Sequence, residues 1–185
     1  MPQWLNKDLY VYHGTDSNSV GASSITSGTS LPFKVSLPLC RPYTDFGQGF
    51  YVTTYLHQAE QWANKRAAAV NALLPPASAP TVALVLQFRL SRDWLATLEG
   101  LSFVVETPDF WALVDDCRSR FPPHQRAGRQ MEYDVVYGPV TLWPQRLLIK
   151  DCDQISFHTP SAVNSLPSPV VFKKANDSDP TQTSF

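Results

Sequence analysis

The chain has little cysteine, and its three cysteines are not spaced for a shared role. Cys40, Cys117 and Cys152 are an odd number and form no CxxC motif. This pattern argues against a disulfide framework and against zinc ligation. A reducing cytoplasm, of the producing or the target cell, is therefore the expected location.

The chain also lacks a long apolar run and an excess of either charge. No segment approaches the roughly 18 to 20 apolar residues that span a bilayer. Residues 1–7 show no basic stretch leading into an apolar one, so we expect no signal peptide. The net charge of −1 implies no general affinity for polyanions, although local pairs such as Lys65 and Arg66 leave a nucleic-acid substrate open.

The composition that is present suits a globular protein. Hydrophobic residues make up 43% and aromatic residues 12% of the 185 residues, enough for one domain with a real core. We expect this domain to span residues 1–172. Residues 173–185 are rich in Ser, Thr, Asp, Asn, Pro and Lys and are predicted to form a disordered tail.

The hydrophobic pattern predicts six or seven strands, with helices mainly in the first and middle thirds of the chain. Strands are predicted at 9–12, 50–53, 82–90, 131–137, 145–150 and 154–158. Helices are predicted near 17–24, from a cap at Thr54 to Pro75, after Ser91, after Thr107 and from Pro160 to Leu166. Because strands and helices do not alternate regularly, an α+β fold with two small packed sheets is favoured over a doubly wound sheet.

Two motifs join a strand to glycine and a polar side chain. Tyr12-His13-Gly14-Thr15 ends the first strand, and Asp45-Phe46-Gly47-Gln48-Gly49-Phe50-Tyr51-Val52-Thr53 enters the second. Glycine lets a backbone approach a ligand closely or adopt positive φ. Each motif alone has a plainer interpretation, since His13 could serve a turn carbonyl and Tyr51 could be half-buried packing. Trp62, on the apolar face of the following helix, could likewise be a core residue.

Glu132 is the acid of greatest interest, because it begins an apolar strand after a polar loop. A carboxylate in such a strand is costly unless it is paired or functional. Gln130 and Asp134 share its face of the extended chain, so either acid could point into a site. A solvated charge at a strand edge is the alternative interpretation.

Together these segments resemble the ADP-ribosyltransferase superfamily, in the His-Tyr-Glu clade that includes diphtheria toxin and the poly(ADP-ribose) polymerases. The resemblance rests on residues 12–15, 49–53 and 132–137. With residues 45–53, 58–63, 133–140 and 154–159, the chain is more closely similar to a bacterial subfamily catalogued as a domain of unknown function. The resemblance spans roughly residues 8–166 and implies a split β-sheet sandwich with flanking helices.

The resemblance implies that NAD+ is cleaved as a substrate and that no metal is needed. His13 would bind the adenosine-side ribose, the Gly14 backbone the nicotinamide carboxamide, and Tyr51 the nicotinamide ring. Trp62 would be a second stacking aromatic. Glu132 would bind the nicotinamide-ribose hydroxyls and, with His13 and Tyr51, complete the catalytic set. Further NAD+ contacts are assigned to Thr15, Gly49, Phe50, Gln130 and Gln154.

The chain departs from the pattern in two places. Ala59 stands where the polymerases usually have a serine that contacts the carboxamide. The third catalytic position is loose in the subfamily, so Asp134 or Gln154 could share or take the role of Glu132. Gln130-Met131-Glu132 also resembles the Gln-x-Glu signature of protein-modifying toxins, in which the residue two before the glutamate helps to choose the acceptor.

The expected function is that of a mono-ADP-ribosyltransferase, because the helical regulatory domains of a chain-elongating polymerase are missing. A bacterial toxin of a toxin–antitoxin or effector system is implied, with an antitoxin protein as a partner and a protein or nucleic acid as the acceptor. Two alternatives remain: an NAD+ glycohydrolase, and a non-catalytic module that binds NAD+ or ADP-ribose.

Overall fold

A computed structural model describes residues 6–21, 26–119 and 133–174. Within these ranges the chain forms seven strands and four α-helices. The strands are Leu9–Asp16 (β1), Phe50–Val52 (β2), Ala83–Leu90 (β3), Gly100–Ser102 (β4), Val135–Leu142 (β5), Leu147–Phe157 (β6) and Val170–Lys174 (β7). The helices are Leu56–Asn71 (α1), Arg92–Leu95 (α2), Pro108–Ser119 (α3) and Pro160–Asn164 (α4).

The fold is α+β with two sheets, as the sequence predicts. One sheet has the order β1-β3-β7 and the other the order β2-β6-β5-β4. In the second sheet β6 is antiparallel to both of its neighbours, whereas β4 and β5 are parallel.

The described residues fall into two compact units, each made of separate stretches of chain. Residues 10–21, 26–33, 55–89 and 167–174 form the three-stranded unit; residues 6–9, 34–54, 90–119 and 133–166 form the four-stranded unit.

The core of the three-stranded unit is built from small side chains. Ala59, Ala63 and Ala67 recur every four residues, as one face of α1 requires, and pack against Ala83 and Val85 of β3. These short side chains let strand β1 approach the helix backbone. A Cβ added at Gly14 would lie 2.2 Å from the carbonyl oxygen of Ala59 and 2.8 Å from the amide nitrogen of Ala63. Gly14 therefore has a packing reason to be glycine.

The core of the four-stranded unit is aromatic. Phe46 and Phe110 meet edge to face with Val114 and Val136 around them. The Phe46 ring needs room beside β5, because a Cβ at Gly138 would lie 2.9 Å from its Cζ. The predicted end of a strand at Gly138 is therefore wrong: the glycine lies within β5 and makes space for a neighbouring ring.

Elements with strong local signals are confirmed. β2 and β3 occupy their predicted segments, and α4 begins at Pro160. The Ser91 side chain caps α2 by accepting from the amide of Trp94. The Thr107 hydroxyl accepts from the amide of Phe110 at the start of α3, as a residue preceding a helix-opening proline is expected to do.

The helical predictions need three corrections. Thr54 does not cap α1, because its amide and hydroxyl both donate to Asp153 of β6. The helix ends at Asn71, whose side chain pairs with the backbone of Thr81. Residues 17–21 form turns instead of a helix, because the Asp16 carboxylate binds the backbone and side chain of Ser19.

The strand predictions were wrong for short strands and for strands whose partners are distant in the sequence. The two strands predicted at 145–150 and 154–158 are one strand, β6, in which Asp151 adopts a φ of 54°. The short parallel strand β4 and the strand β7 were not predicted. β7 pairs with β3 and extends two residues into the predicted tail; residues 175–185 lie outside the described residues.

We predict that Gly14→Ala lowers the free energy of unfolding by about 2–3 kcal/mol, because the new methyl group overpacks against the α1 backbone. Gly100→Ala is the matched control, since the nearest atom to a Cβ there is 3.5 Å away. Chemical denaturation measures both variants. Equal losses of stability in the two would contradict this packing role for Gly14.

Candidate functional site

The residues predicted to bind NAD+ fall into both units, and each group is described by itself. His13, Gly14, Thr15 and Trp62 belong to the three-stranded unit. Gly49, Phe50, Tyr51 and Gln154 belong to the four-stranded unit. Gln130 and Glu132, which carry the predicted Gln-x-Glu motif and the predicted catalytic acid, lie outside the described residues.

His13 lies in the middle of β1, because the strand continues past Gly14 to Asp16. Side chains alternate along a strand, and the Cβ position of Gly14 faces α1. His13 therefore lies on the opposite face, which it shares with Val11 and Thr15. Both of those neighbours are buried, and His13 is half-buried. The predicted end of the strand at Gly14 is therefore wrong.

Asp16, which follows the first motif, is the centre of a network of hydrogen bonds. Its carboxylate is 1% exposed and accepts from Ser19 at 2.6 Å, from Arg66 at 2.7 Å and from Thr81 at 3.3 Å. Burial pushes the pKa of the Asp16 carboxyl up, but the hydrogen bonds from Ser19 and Arg66 outweigh burial and the pKa is lowered. The end of β1 is thus held by an ionised carboxylate.

Trp62 projects from α1 with 51% of its surface exposed. The prediction that it lies on the buried face of the helix is wrong, because the alanines take that face and Trp62 is displaced from it. Ala59, where the sequence departs from the expected serine, is 2% exposed and packs within the alanine face of α1. Its contact with Gly14 is made by the Ala59 backbone, so that contact does not depend on the side chain at position 59.

Tyr51 is held by its hydroxyl group in the turn formed by residues 44–47. The phenol oxygen accepts from the Thr44 hydroxyl at 2.7 Å and from the Phe46 amide at 3.0 Å. It donates to the Gly47 carbonyl at 2.8 Å, and Gly47 has a φ of 80°. Burial, with a smaller contribution from Asp45, raises the pKa of the Tyr51 phenol well above its usual range. Tyr51 is therefore a neutral ring in a fixed place, and its hydroxyl is committed to the fold.

His158 lies next to Tyr51 and was not singled out from the sequence. Its imidazole is 2% exposed and packs edge-on to the Tyr51 ring at 6.3 Å between centroids. Nδ1 donates to the Gln48 carbonyl at 3.0 Å, and Nε2 lies 2.7 Å from the Ser156 hydroxyl oxygen. A Cβ at Gly49 would lie 2.7 Å from Nδ1, so Gly49 makes room for this imidazole.

Gln154 and Asp134 are the two alternatives for the third catalytic residue. Both side chains make hydrogen bonds within the four-stranded unit. Gln154 is 8% exposed, and its amide donates to Asp45 at 2.7 Å and to the Pro139 carbonyl at 2.9 Å. Asp134 accepts from the Glu99 amide at 3.0 Å and from the Thr159 hydroxyl. Their assignments remain predictions, as does that of Glu132.

Metal-binding clusters and membrane-spanning helices are both missing from the described parts of the chain. Residues 6–21, 26–119 and 133–174 hold no group of three or more His, Cys, Asp or Glu side chains that could bind a metal ion. In the same ranges, each helix is too short or too polar to cross a bilayer.

Residues 26–142 match the model of a family described as "Protein of unknown function (DUF3990)". The chain belongs to this family. The DUF3990 match covers more than half of the chain, and the predicted similarity to a family of unknown function is thereby confirmed. Neither the curated proteins nor the solved structures include a match to the chain.

The DUF3990 match encloses only some of the predicted site. It contains the Gly49-Phe50-Tyr51 strand, Trp62 and Glu132, whereas His13 and Gln154 lie beyond its ends. His158 also lies beyond it. No spacing in the sequence could have singled out His158, because its carbonyl partner Gln48 is 110 residues away.

We predict that Asp16→Asn lowers the free energy of unfolding at pH 7 by about 1–3 kcal/mol, the usual effect of losing hydrogen bonds to a charged group. Because the folded pKa of Asp16 is lowered, its stabilisation is present above the unfolded value of about 3.9. It is lost as pH falls through the folded pKa. Denaturation at several pH values measures the free energy of unfolding of both proteins. The difference between wild type and variant should become smaller below about pH 4. A difference that is constant with pH would contradict this role.

Proposed function

We propose that this DUF3990 protein is a mono-ADP-ribosyltransferase that cleaves NAD+ and transfers ADP-ribose to a macromolecular acceptor. The observation that supports the proposal most is the immobile, neutral Tyr51 ring on the Gly49-Phe50-Tyr51 strand. The proposed fold is the split β-sheet sandwich of ADP-ribosyltransferases, and two small sheets of three and four strands agree with it.

A neutral aromatic ring suits the nicotinamide of NAD+, which is a positively charged ring. The face of an aromatic side chain attracts a cation and stacks on another ring. The three hydrogen bonds to the phenol hold the Tyr51 ring in one orientation, which reduces the entropy lost on binding. The raised pKa of Tyr51 keeps its hydroxyl protonated near neutral pH, and its proposed role is stacking.

The proposed reaction breaks the bond between the nicotinamide nitrogen and the anomeric carbon of the ribose. Nicotinamide leaves with the bonding electrons and becomes neutral, and the ribose becomes oxocarbenium-like. The acceptor then forms a bond to the anomeric carbon and releases a proton. Glu132 would stabilise the positive charge on the ribose and polarise the acceptor, as a carboxylate does in glycoside cleavage.

Other parts of the proposal rest on the resemblance to ADP-ribosyltransferases. His13 on β1 would bind the adenosine-side ribose, and exposed Trp62 would add a second stacking surface. The biological role would be that of a toxin in the cytoplasm, with an antitoxin as its partner. The acceptor would be a protein or a nucleic acid, and mass analysis of separate protein and nucleic-acid fractions of a treated lysate identifies which.

We predict that Glu132→Ala reduces transfer of labelled ADP-ribose from NAD+ roughly 100-fold or more, because charge on the ribose is no longer stabilised. The circular dichroism spectrum and the thermal midpoint should stay those of the wild type. Glu106→Ala, which removes an exposed glutamate of the four-stranded unit, should retain activity.

Full transfer by Glu132→Ala would overturn the assignment of this acid. In that case Asp134→Asn and Gln154→Ala test the two alternatives. Rapid release of free ADP-ribose in the absence of any acceptor would instead identify the wild-type protein as an NAD+ glycohydrolase.

We predict effects of different size for two substitutions of Tyr51. Tyr51→Phe keeps the stacking surface but loses the hydrogen bonds that hold the ring, so it should weaken NAD+ binding less than Tyr51→Ala does, while losing about 1–3 kcal/mol of stability because the Phe46 amide and the Gly47 carbonyl lose a partner. Tyr51→Ala removes the stacking surface and should weaken NAD+ binding about tenfold or more. Calorimetric titration with NAD+ measures the affinities, and unchanged affinity in Tyr51→Ala would contradict the stacking role.

A further inference from the structure

Asp45 is a buried carboxylate of the four-stranded unit that the proposed chemistry does not use. It is 2% exposed and accepts five hydrogen bonds. Two come from the Arg118 guanidinium, at 2.6 and 2.9 Å. The amide and hydroxyl of Thr141 donate at 2.9 and 2.7 Å, and the Gln154 amide donates at 2.7 Å.

These donors come from three different elements, whereas Asp45 itself belongs to the turn that binds the Tyr51 hydroxyl. Arg118 lies in α3, Thr141 in β5 and Gln154 in β6. The residue before Asp45 and the two residues after it, Thr44, Phe46 and Gly47, supply all three hydrogen bonds to the phenol. The carboxylate therefore anchors the turn to the helix and to the sheet.

The geometry points to Asp45 as the positioning residue for Tyr51. By fixing the turn of residues 44–47, Asp45 fixes the position of the phenol oxygen and with it the direction of the ring axis. The consequence for NAD+ rests on the proposed function, in which nicotinamide stacks on that ring. The consequence for Tyr51 itself does not depend on any function.

The site requires a carboxylate and not merely a polar side chain of the same shape. Every group directed at Asp45 is a donor, and a carboxylate accepts only. Asparagine would turn its own NH₂ group toward one of these donors and would leave the Arg118 charge without its partner. Asp45→Asn is therefore a change of nearly constant volume that releases the turn.

Asp153 offers a matched control in the same unit. It is 5% exposed and accepts from Thr53 at 2.8 Å and from the amide of Thr54 at 2.8 Å. These contacts hold the chain that follows β2, whereas the turn that binds the phenol precedes β2. Asp153→Asn thus makes the same change to a buried carboxylate that anchors a different segment.

The test measures the Tyr51 phenol directly, by NMR of protein carrying tyrosine labelled at Cζ, with Tyr51→Phe to assign the signal. We expect Asp45→Asn to move the Tyr51 signal at neutral pH, and Asp153→Asn to leave it near the wild-type position. In NAD+ turnover, Asp45→Asn should raise KM for NAD+ roughly tenfold relative to Asp153→Asn, because a displaced ring costs binding.

The outcomes separate the two proposals. An unchanged Tyr51 signal in Asp45→Asn, or an equal change in Asp153→Asn, overturns the positioning role. A shifted Tyr51 signal in a protein that neither binds nor consumes NAD+ supports the positioning role and refutes the proposed function. If Asp45→Asn does not fold, Thr141→Val removes a single donor to Asp45 while keeping the side-chain shape, and an unmoved Tyr51 signal in that variant overturns the role.

Discussion

Buried carboxylates that are matched by donors hold the connecting segments of this protein to its strands. Asp16 fixes the exit from β1, Asp45 fixes the entry to β2, and Asp153 fixes the exit from β2. A charge removed from water is costly unless hydrogen bonds replace its hydration, so each carboxylate admits few arrangements of the chain around it. Of the two sequence motifs that first suggest a function, one ends directly before Asp16 and the other begins at Asp45.

The three glycines of those motifs each have a structural reason to be glycine. Gly14 admits the α1 backbone, Gly49 admits the His158 imidazole, and Gly47 adopts positive φ in the turn that holds Tyr51. A structural reason does not exclude a functional one, because a preorganised ring is useful to a ligand only if the fold holds it still. The proposed chemistry therefore depends most on Trp62, which is 51% exposed, and on the half-buried Tyr51 ring that the turn holds in place.

Predictions from the sequence were correct where the interactions are local and failed where the partners are distant in the sequence. Caps at Ser91 and Thr107 and the apolar strand β3 are local signals, and they predicted their elements correctly. β4 and β7 were missed because their three and five residues acquire meaning only through distant partners. The site follows the same rule: Tyr51 was found from a contiguous motif, whereas the roles of His158 and Asp45 depend on partners 110 and up to 109 residues away.

The close approach of β1 to α1 also bears on how this family can diverge. A side chain at position 14 would meet the carbonyl oxygen of Ala59 and the amide nitrogen of Ala63, which are backbone atoms that no single substitution in the helix removes. Room for a larger residue at position 14 would have to come from the helix moving off the strand. The residue tolerated at this position is therefore set by the helix–strand distance.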